Sequence, residues 1–526
     1  MTAIEPGRVV AVVGSGTMGQ GIAQVALVAG HPVRLHDAVP GRAAGAAATL
    51  TGRLDRLVAK GRLDPAERDA ATARLLPAAD LAELADAALV VEAVLEDLPV
   101  KRALFAALED VVGDDCLLAT NTSSLSVTAV AGALRRPERL VGTHFFNPAP
   151  LLPLVEIVSG HASGPEAVTR AYETVRAWGK TPVRCADTPG FIVNRVARPF
   201  YAEALRVYEE GAADPATVDA VLRECGGFRM GPFELTDLIG QDVNEAVTRS
   251  VWESFFHDPK FTPSLAQRRL VESGRLGRKT GRGWFPYGDG ATAPVPRTEE
   301  PREAPEEVGA YGDLGPAAVL RDMIEEAGVK VTPERDRERG RGRAGERGHG
   351  GHERCAPYAA GGFLLPGGTA LRLTGGASAT SDPAGPAVHV DLALDYRACT
   401  RIALAPGADA DPMDLRAAVG LFQRLGKRVS VIEDIPGMIV ARTVALVVDL
   451  AQDAAGRSVA GARDIDTAMK LGVNYPGGPG EWCDRLTSRW VRSFLSAMDG
   501  VYPGGRYAPS TALTRRADTE AKQGRS

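Results

Sequence analysis

The front third of the chain alternates between two hydrophobic patterns. Short uninterrupted apolar runs predict buried strands at 8–13 (RVVAVV), 31–37 (HPVRLHD), 88–94 (ALVVEAV), 116–125 (CLLATNTSSL), 139–148 (RLVGTHFFNP) and 151–160 (LLPLVEIVSG). Between them lie segments with helical spacing: GQGIAQVALVAG ending at Gly30, the span 42–76, and KRALFAALEDVV, opened by Glu96 and Lys101. Strands alternating with helices predict a doubly wound, mainly parallel α/β sheet.

Gly14-Ser15-Gly16-Thr17-Met18-Gly19 stands between the first strand and the first helix. Gly14 permits a tight turn, Gly16 lets the backbone approach a pyrophosphate, and Gly19 lets helix and strand pack closely. The helix N-terminus offers unpaired N–H groups to phosphate. Asp37 follows Gly19 by 18 residues, at the end of the second strand. An acid there takes a ribose 2′-hydroxyl and repels a 2′-phosphate, so the motif in this context predicts NAD binding.

Composition narrows the picture. A chain of 526 residues holds several domains, and 61 Lys+Arg against 66 Asp+Glu exclude a nucleic-acid platform held by global positive charge. Six scattered cysteines with no CxxC pair suggest neither a zinc site nor a disulfide scaffold, and no metal is required. No apolar run reaches about 18 residues and no leader pattern opens the chain, so neither a membrane span nor export is expected and a cytoplasmic location is.

Ser123, His144 and Asn147 fall at or just past strand ends, where ligands bind in such sheets. A lone histidine at a strand end is commonly a structural residue. Glu156, twelve positions on across a Pro-punctuated loop, changes that reading. A carboxylate on one ring nitrogen sets the tautomer and stabilises the imidazolium, leaving the other nitrogen to take a proton. Such a pair suits alcohol oxidation, with the proton passing to histidine and the hydride to nicotinamide.

The words VGSGTMG, VEAVLEDLPVK, NTSSL, GTHFFNPAPLLPLVEIV, DTPGFIVNR, GPFELTDLIG and LGRKTGRGWF run in order across residues 8–286. In them the chain resembles the 3-hydroxyacyl-CoA dehydrogenase family, in its long bacterial form with two C-terminal helical domains. The resemblance implies a Rossmann-like sheet domain followed by an all-α domain like that of 6-phosphogluconate dehydrogenase. It implies NAD-linked oxidation of an (S)-3-hydroxyacyl-CoA, short-chain or dicarboxylic, in fatty-acid or phenylacetate-type catabolism. By the same resemblance, His144 is the acid/base, Glu156 its partner, Ser123 and Asn194 hold substrate oxygens, and Asn147 positions nicotinamide. Glu96, Lys101 and Lys279 join Asp37 in lining the NAD site, and Lys60 either meets a CoA phosphate or is a solvated helix lysine. Rival readings are a dehydrogenase of a free hydroxy or sugar acid, and a non-catalytic NAD-binding structural protein.

The chain also repeats itself. GKTPVRCADTPGFIVNR (179–195) aligns with GKRVSVIEDIPGMIVAR (426–442) at a spacing of 247, and the spacing holds through Gly231-Pro232 and Gly478-Pro479. At that spacing His144 becomes Asp391, Asn147 becomes Leu394, Glu156 becomes Ala403 and Asn194 becomes Ala441, so the second copy reads as a scaffold. Gly312 and Gly328 match Gly14 and Gly30, but Leu314 and Ala317 replace Gly16 and Gly19, which blocks phosphate approach. The expected organisation is a Rossmann domain (1–186), a helical domain (187–287), a linker (288–306), a degenerate sheet region (307–433), a second helical domain (434–515) and a disordered tail (516–526). The Arg/Gly-rich stretch 333–357 reads as a mobile linker or the product of a shifted reading frame. The helical domains are expected to self-associate, as an intramolecular pair and in a homodimer.

Overall fold

The computed structural model describes residues 2–292, 294–333, 361–383 and 385–523. All of the Arg/Gly-rich stretch except Pro333 lies outside them, as does Cys355. The chain forms two compact units, Met1–Arg195 with Ala454–Val473, and Val196–Asp453 with Asn474–Ser526. Among the described residues no helix is long and apolar enough to cross a membrane.

The first unit is built on eight strands: β1 (Val10–Val13), β2 (Val33–His36), β3 (Leu75–Ala78), β4 (Leu89–Glu92), β5 (Leu117–Thr120), β6 (Leu140–Phe145), β7 (Leu154–Ser159) and β8 (Thr181–Ala186). Their order is β3-β2-β1-β4-β5-β6-β7-β8. The first six are parallel, β7 runs antiparallel to β6, and β8 is parallel to β7. Strands apolar on both faces need helices on both faces, and Val10, Val12, Leu35 and Val91 are buried with Ile22, Leu27 and Leu50 of the helices. Val13 pairs with both His36 and Glu92, and Glu92 with Thr120, so the loops after β1, β2, β4 and β5 emerge along one edge. The sheet reverses its winding direction at β1, where a crevice opens outside the strand ends.

The single helix expected over 42–76 is two helices, Arg42–Ala59 and Pro65–Ala73, and Leu75 and Leu76 belong to β3. The break has local causes. Gly61 takes φ +64°, Asp64 caps the next helix through the Ala66 N–H, and Pro65 stands at that helix's first position. The segment 454–473, part of the expected second helical domain, lies in the first unit. The helix Ala462–Gly472 packs on β7 and β8 of the first unit. The Arg184 N–H donates to Asp464 at 3.2 Å and the Ala186 N–H to the Val459 carbonyl at 2.7 Å.

The second unit holds a sheet of β9 (Glu307–Tyr311), β10 (Lys330–Pro333), β11 (Gly362–Leu364), β12 (Ala370–Leu373), β13 (Ala387–Val390), β14 (Arg401–Pro406) and β15 (Arg428–Val431), in the order β10-β9-β11-β12-β13-β14-β15. The repeat spacing carries β7, the helix Pro165–Ala177 and β8 onto β14, the helix Pro412–Arg424 and β15. It likewise carries the helices Pro232–Ile239 and Gln241–Ser254 onto Pro479–Leu486 and Ser488–Val501. Where β4 stands in the first sheet, the second has β11, antiparallel to both neighbours. A Cβ on Gly361 would meet the Asp313 backbone at 2.4 Å, and the space beside Leu314 and Ala317 is about 10 Å³ and walled by apolar residues. The decayed glycine turn is therefore packed shut.

Residues 516–523 of the tail do not match their expected disorder. The helix Thr511–Gln523 is tied down by Arg516 on Asp484 and by the Ser488 hydroxyl on Glu520. The linker 288–306 contains no helix or strand among its described residues, yet it is fastened at Arg297 to Thr217 and at Glu299 to Val429.

Candidate active site

The glycine turn keeps the geometry its residues predict. Gly14 has φ +102°, and a Cβ there would meet the Ala93 carbonyl at 2.4 Å. A Cβ on Gly19 would lie 1.7 Å from the Gly14 carbonyl oxygen, so close packing of helix and strand demands glycine. A Cβ on Gly16 would meet nothing within 4 Å. Gly16 is the N-cap of the helix Thr17–Val28 and supplies no capping side chain, so the first N–H groups of that helix face an open cradle. This fits a dinucleotide pyrophosphate. Asp37 accepts from the Ser15 N–H at 2.9 Å and the Ser15 hydroxyl at 2.6 Å. Burial raises its proton affinity, but these bonds, the Val39 N–H and Arg42 outweigh that and hold the carboxyl below its ordinary range. A charge so anchored disfavours a 2′-phosphate.

Beyond β4 a buried ionic chain shapes the next wall. Glu92 is fully buried, accepting from Lys101 (2.6 Å), the Val94 N–H (2.7 Å) and the Thr120 hydroxyl (2.7 Å). Lys101 also pairs with Glu96 at 3.3 Å. Its ammonium is thus held between two acids, and it acts on the cofactor wall through Glu96. Glu96 Oε1 gathers the Thr122 hydroxyl (2.7 Å), the Ser123 and Ser124 N–H groups (2.9 and 3.0 Å) and the Ser124 hydroxyl (2.9 Å). Burial opposes its ionisation. The Lys101 charge and these donors outweigh burial and bring its pKa down to about 2. Glu92, Thr122 and Ser124 were not read from the sequence, where a buried acid inside VVEAV looks like any strand-end residue.

The centre of the site is a hairpin. The β6/β7 register sets His144 opposite Glu156, and His144 Nδ1 lies 2.6 Å from Glu156 Oε2. Glu156 Oε1 accepts the N–H groups of Ile192 (3.0 Å) and Val193 (2.9 Å). Every neighbour of this carboxylate is a donor, so Nδ1 carries the ring proton and Nε2 presents a lone pair. The His144 ring packs against Phe146 and Phe191, with centroids at 4.5 and 5.7 Å. Asn121 Oδ1 accepts the Phe145 N–H at 2.9 Å and fixes the end of β6.

Asn194 and Ser123 come together: Asn194 Nδ2 donates to the Ser123 carbonyl at 3.5 Å, and the Ser123 hydroxyl donates a long bond of 3.4 Å to Glu96. Asn147 opens the loop between β6 and β7, joined to Pro148 by a cis peptide. That loop is gripped from two sides. A Cβ on Gly21 of the fingerprint helix would crowd Ala149 and Pro150 at 3.2 Å, and Lys180 Nζ donates to the carbonyls of Ala149 (2.6 Å), Leu152 (2.9 Å) and Pro150 (3.3 Å). Lys180 was also missed, though its signal was present: the repeat keeps a lysine there, and Lys427 donates to the carbonyls of Arg397 and Cys399.

Two expected residues make no bond to this cluster among the described residues. Lys60 is the exposed C-cap of the helix Arg42–Ala59, its ammonium in no ion pair among the described residues. Lys279 belongs to the other unit, where its ammonium pairs with both oxygens of Asp242 at 2.6 and 2.7 Å.

A glycine cradle for a dinucleotide beside a carboxylate-oriented histidine defines a nicotinamide-dependent dehydrogenase. Residues 9–188 match the NAD-binding domain of 3-hydroxyacyl-CoA dehydrogenase, and residues 190–287 and 437–526 match its C-terminal domain. Residues 371–436 match the reduced Rossmann-fold domain of 3-hydroxybutyryl-CoA dehydrogenase. The chain belongs to the 3-hydroxyacyl-CoA dehydrogenase family and is an NAD-dependent enzyme. It is 41% identical over 517 residues to the 3-hydroxyadipyl-CoA dehydrogenase of Escherichia coli K12, covering 98% of each chain. A crystal structure of 3-hydroxybutyryl-CoA dehydrogenase from E. coli K12 superposes with a TM-score of 0.85 at 39% identity, covering 99% of this chain and all of that one. The mitochondrial hydroxyacyl-coenzyme A dehydrogenase of Sus scrofa is 39% identical over 287 residues, 53% of this chain and 90% of that one.

Proposed function

We propose that the chain oxidises an (S)-3-hydroxyacyl-CoA to the 3-oxoacyl-CoA, with His144 as the base. The observation that carries this reading is the His144–Glu156 bond of 2.6 Å, with the other Glu156 oxygen held by two backbone N–H groups. His144 Nε2 takes the proton of the 3-hydroxyl. Glu156 keeps the Nδ1 proton in place and stabilises the imidazolium. The Ser123 hydroxyl and Asn194 amide hold substrate oxygens where charge develops. Gly14–Gly19, Asp37, Glu96 and Asn147 hold NAD, which supplies a hydride acceptor when bound.

The acyl chain is short or dicarboxylic. This rests on the two relatives that match almost the whole chain, one named for 3-hydroxyadipyl-CoA and one for 3-hydroxybutyryl-CoA. The shared packing of the two helical copies in one unit is read as an internal form of the self-association expected of such domains. His144→Ala tests the mechanism. Turnover should fall by about 10²–10⁴-fold while NADH binding, followed by its fluorescence, is kept. Retained turnover removes His144 from its role.

A further inference from the structure

The helix Arg198–Glu209 carries a cation that the reaction does not use. Arg198 is only 5% exposed, and among the described residues no carboxylate pairs with it. Of its five N–H donors, one makes a recorded hydrogen bond, from a terminal nitrogen to the Thr248 hydroxyl at 3.1 Å; Nε is buried without a partner. The guanidinium lies 4.9 Å from the centre of the Tyr201 ring. A buried cation without a counter-charge is costly, and folds rarely keep one without a use for it.

Packing does not require it. The repeat spacing places Ala445 at the position of Arg198, Val448 at that of Tyr201 and Leu495 at that of Thr248, so an apolar set serves the same helices in the second copy. The first copy instead has a cavity of about 280 Å³, lined by Arg198, Arg206, Tyr201 and Thr248 on its polar side and by Ala202 and Leu205 on its apolar side. The one carboxylate on this lining, Glu209, is engaged by the Ser264 hydroxyl (2.8 Å) and the Ala266 N–H (2.9 Å).

We propose that this cavity is a binding site for an aliphatic carboxylate, whose head group pairs with Arg198. Guanidinium matches carboxylate geometry, the apolar wall suits a short methylene chain, and the volume is too small for a nucleotide. A fully hydrated inorganic anion would gain nothing from Ala202 and Leu205. The proposal does not depend on the roles given to His144 and Glu156, because binding is read without turnover.

The test uses the full chain and its Arg198→Met variant, which keeps the unbranched stem and loses the charge. Calorimetric titration with adipate should show binding to the parent, weakened at least tenfold in Arg198→Met. The variant should melt at or above the parent temperature, because an uncompensated buried charge has gone. The proposal is overturned if the parent binds no adipate, if Arg198→Met binds adipate as tightly as the parent, or if phosphate binds as tightly as adipate.

Discussion

Glu156 performs two tasks with its two oxygens. One orients His144, and the other closes the backbone at Ile192 and Val193. The second copy separates them. Ala403 stands in place of Glu156, and Asp391, in place of His144, accepts the N–H groups of Ile439, Val440 and Ala441. Backbone closure survives there without a base. This predicts the behaviour of Glu156→Gln. The amide oxygen can still accept from Ile192 and Val193, but the NH₂ then faces Nδ1 and drives the proton to Nε2, the wrong tautomer for a base. The fold should survive with a melting temperature near the parent's, while kcat falls by about 10²–10⁴-fold. A variant with near-parental kcat contradicts the tautomer argument.

At the scale of elements, the loop between β6 and β7 joins the His144–Glu156 hairpin to the helix of the glycine turn. Its grip is unusual because Lys180 binds three carbonyls and, among the described residues, no acid. Burial pushes this ammonium below its ordinary pKa. Lys180→Met keeps the stem and removes three charge-assisted donors, each worth about 1.5–3 kcal/mol. The loop carrying Asn147 should loosen, raising the KM for NAD by more than it lowers kcat in steady-state kinetics. An unchanged KM for NAD would detach the clamp from the cofactor site. The far side of this hairpin is also built by a distant element. A Cβ on Gly472 would meet Leu154 at 2.7 Å and Val193 at 3.2 Å, so the last turn of a second-copy helix packs against the walls of the catalytic hairpin. The strands, the glycine turn and the His–Glu spacing were legible in the sequence because each is a local pattern. The loop clamp and the origin of that helix were not, because each joins positions far apart in the chain with no periodicity to mark them.

In the second unit, a buried charge cluster joins the two helical copies. Glu203 is fully buried and accepts from Arg442 (2.8 Å), Arg506 (2.6 and 2.9 Å) and the Tyr507 hydroxyl (2.8 Å). Burial alone would raise its pKa. Arg506, Arg442 and Arg206 outweigh burial and bring it down to about 2, below the ordinary 4.5. A folded-state pKa below the unfolded one contributes stability that is fully present above about pH 4.5 and is lost as pH falls toward 2. Melting temperature should therefore drop steeply through that window, with Glu203 accounting for about 3 kcal/mol. Glu203→Gln should be less stable at pH 7 by about 3–5 kcal/mol and show a flatter acid profile. An equally steep profile in the variant would assign the acid sensitivity to other groups. The sequence by itself determined the dinucleotide turn, the pairing of His144 with Glu156 and the absence of both residues from the second copy, because those depend on residue types at short fixed spacings. Only the tertiary structure decided that one helix of the second copy packs in the first unit, that β11 and an apolar wall shut the second cradle, and that the buried Glu203 gathers two arginines and a tyrosine from the other copy. Burial and long-range pairing are properties of the folded chain, and no local stretch of residues encodes them alone.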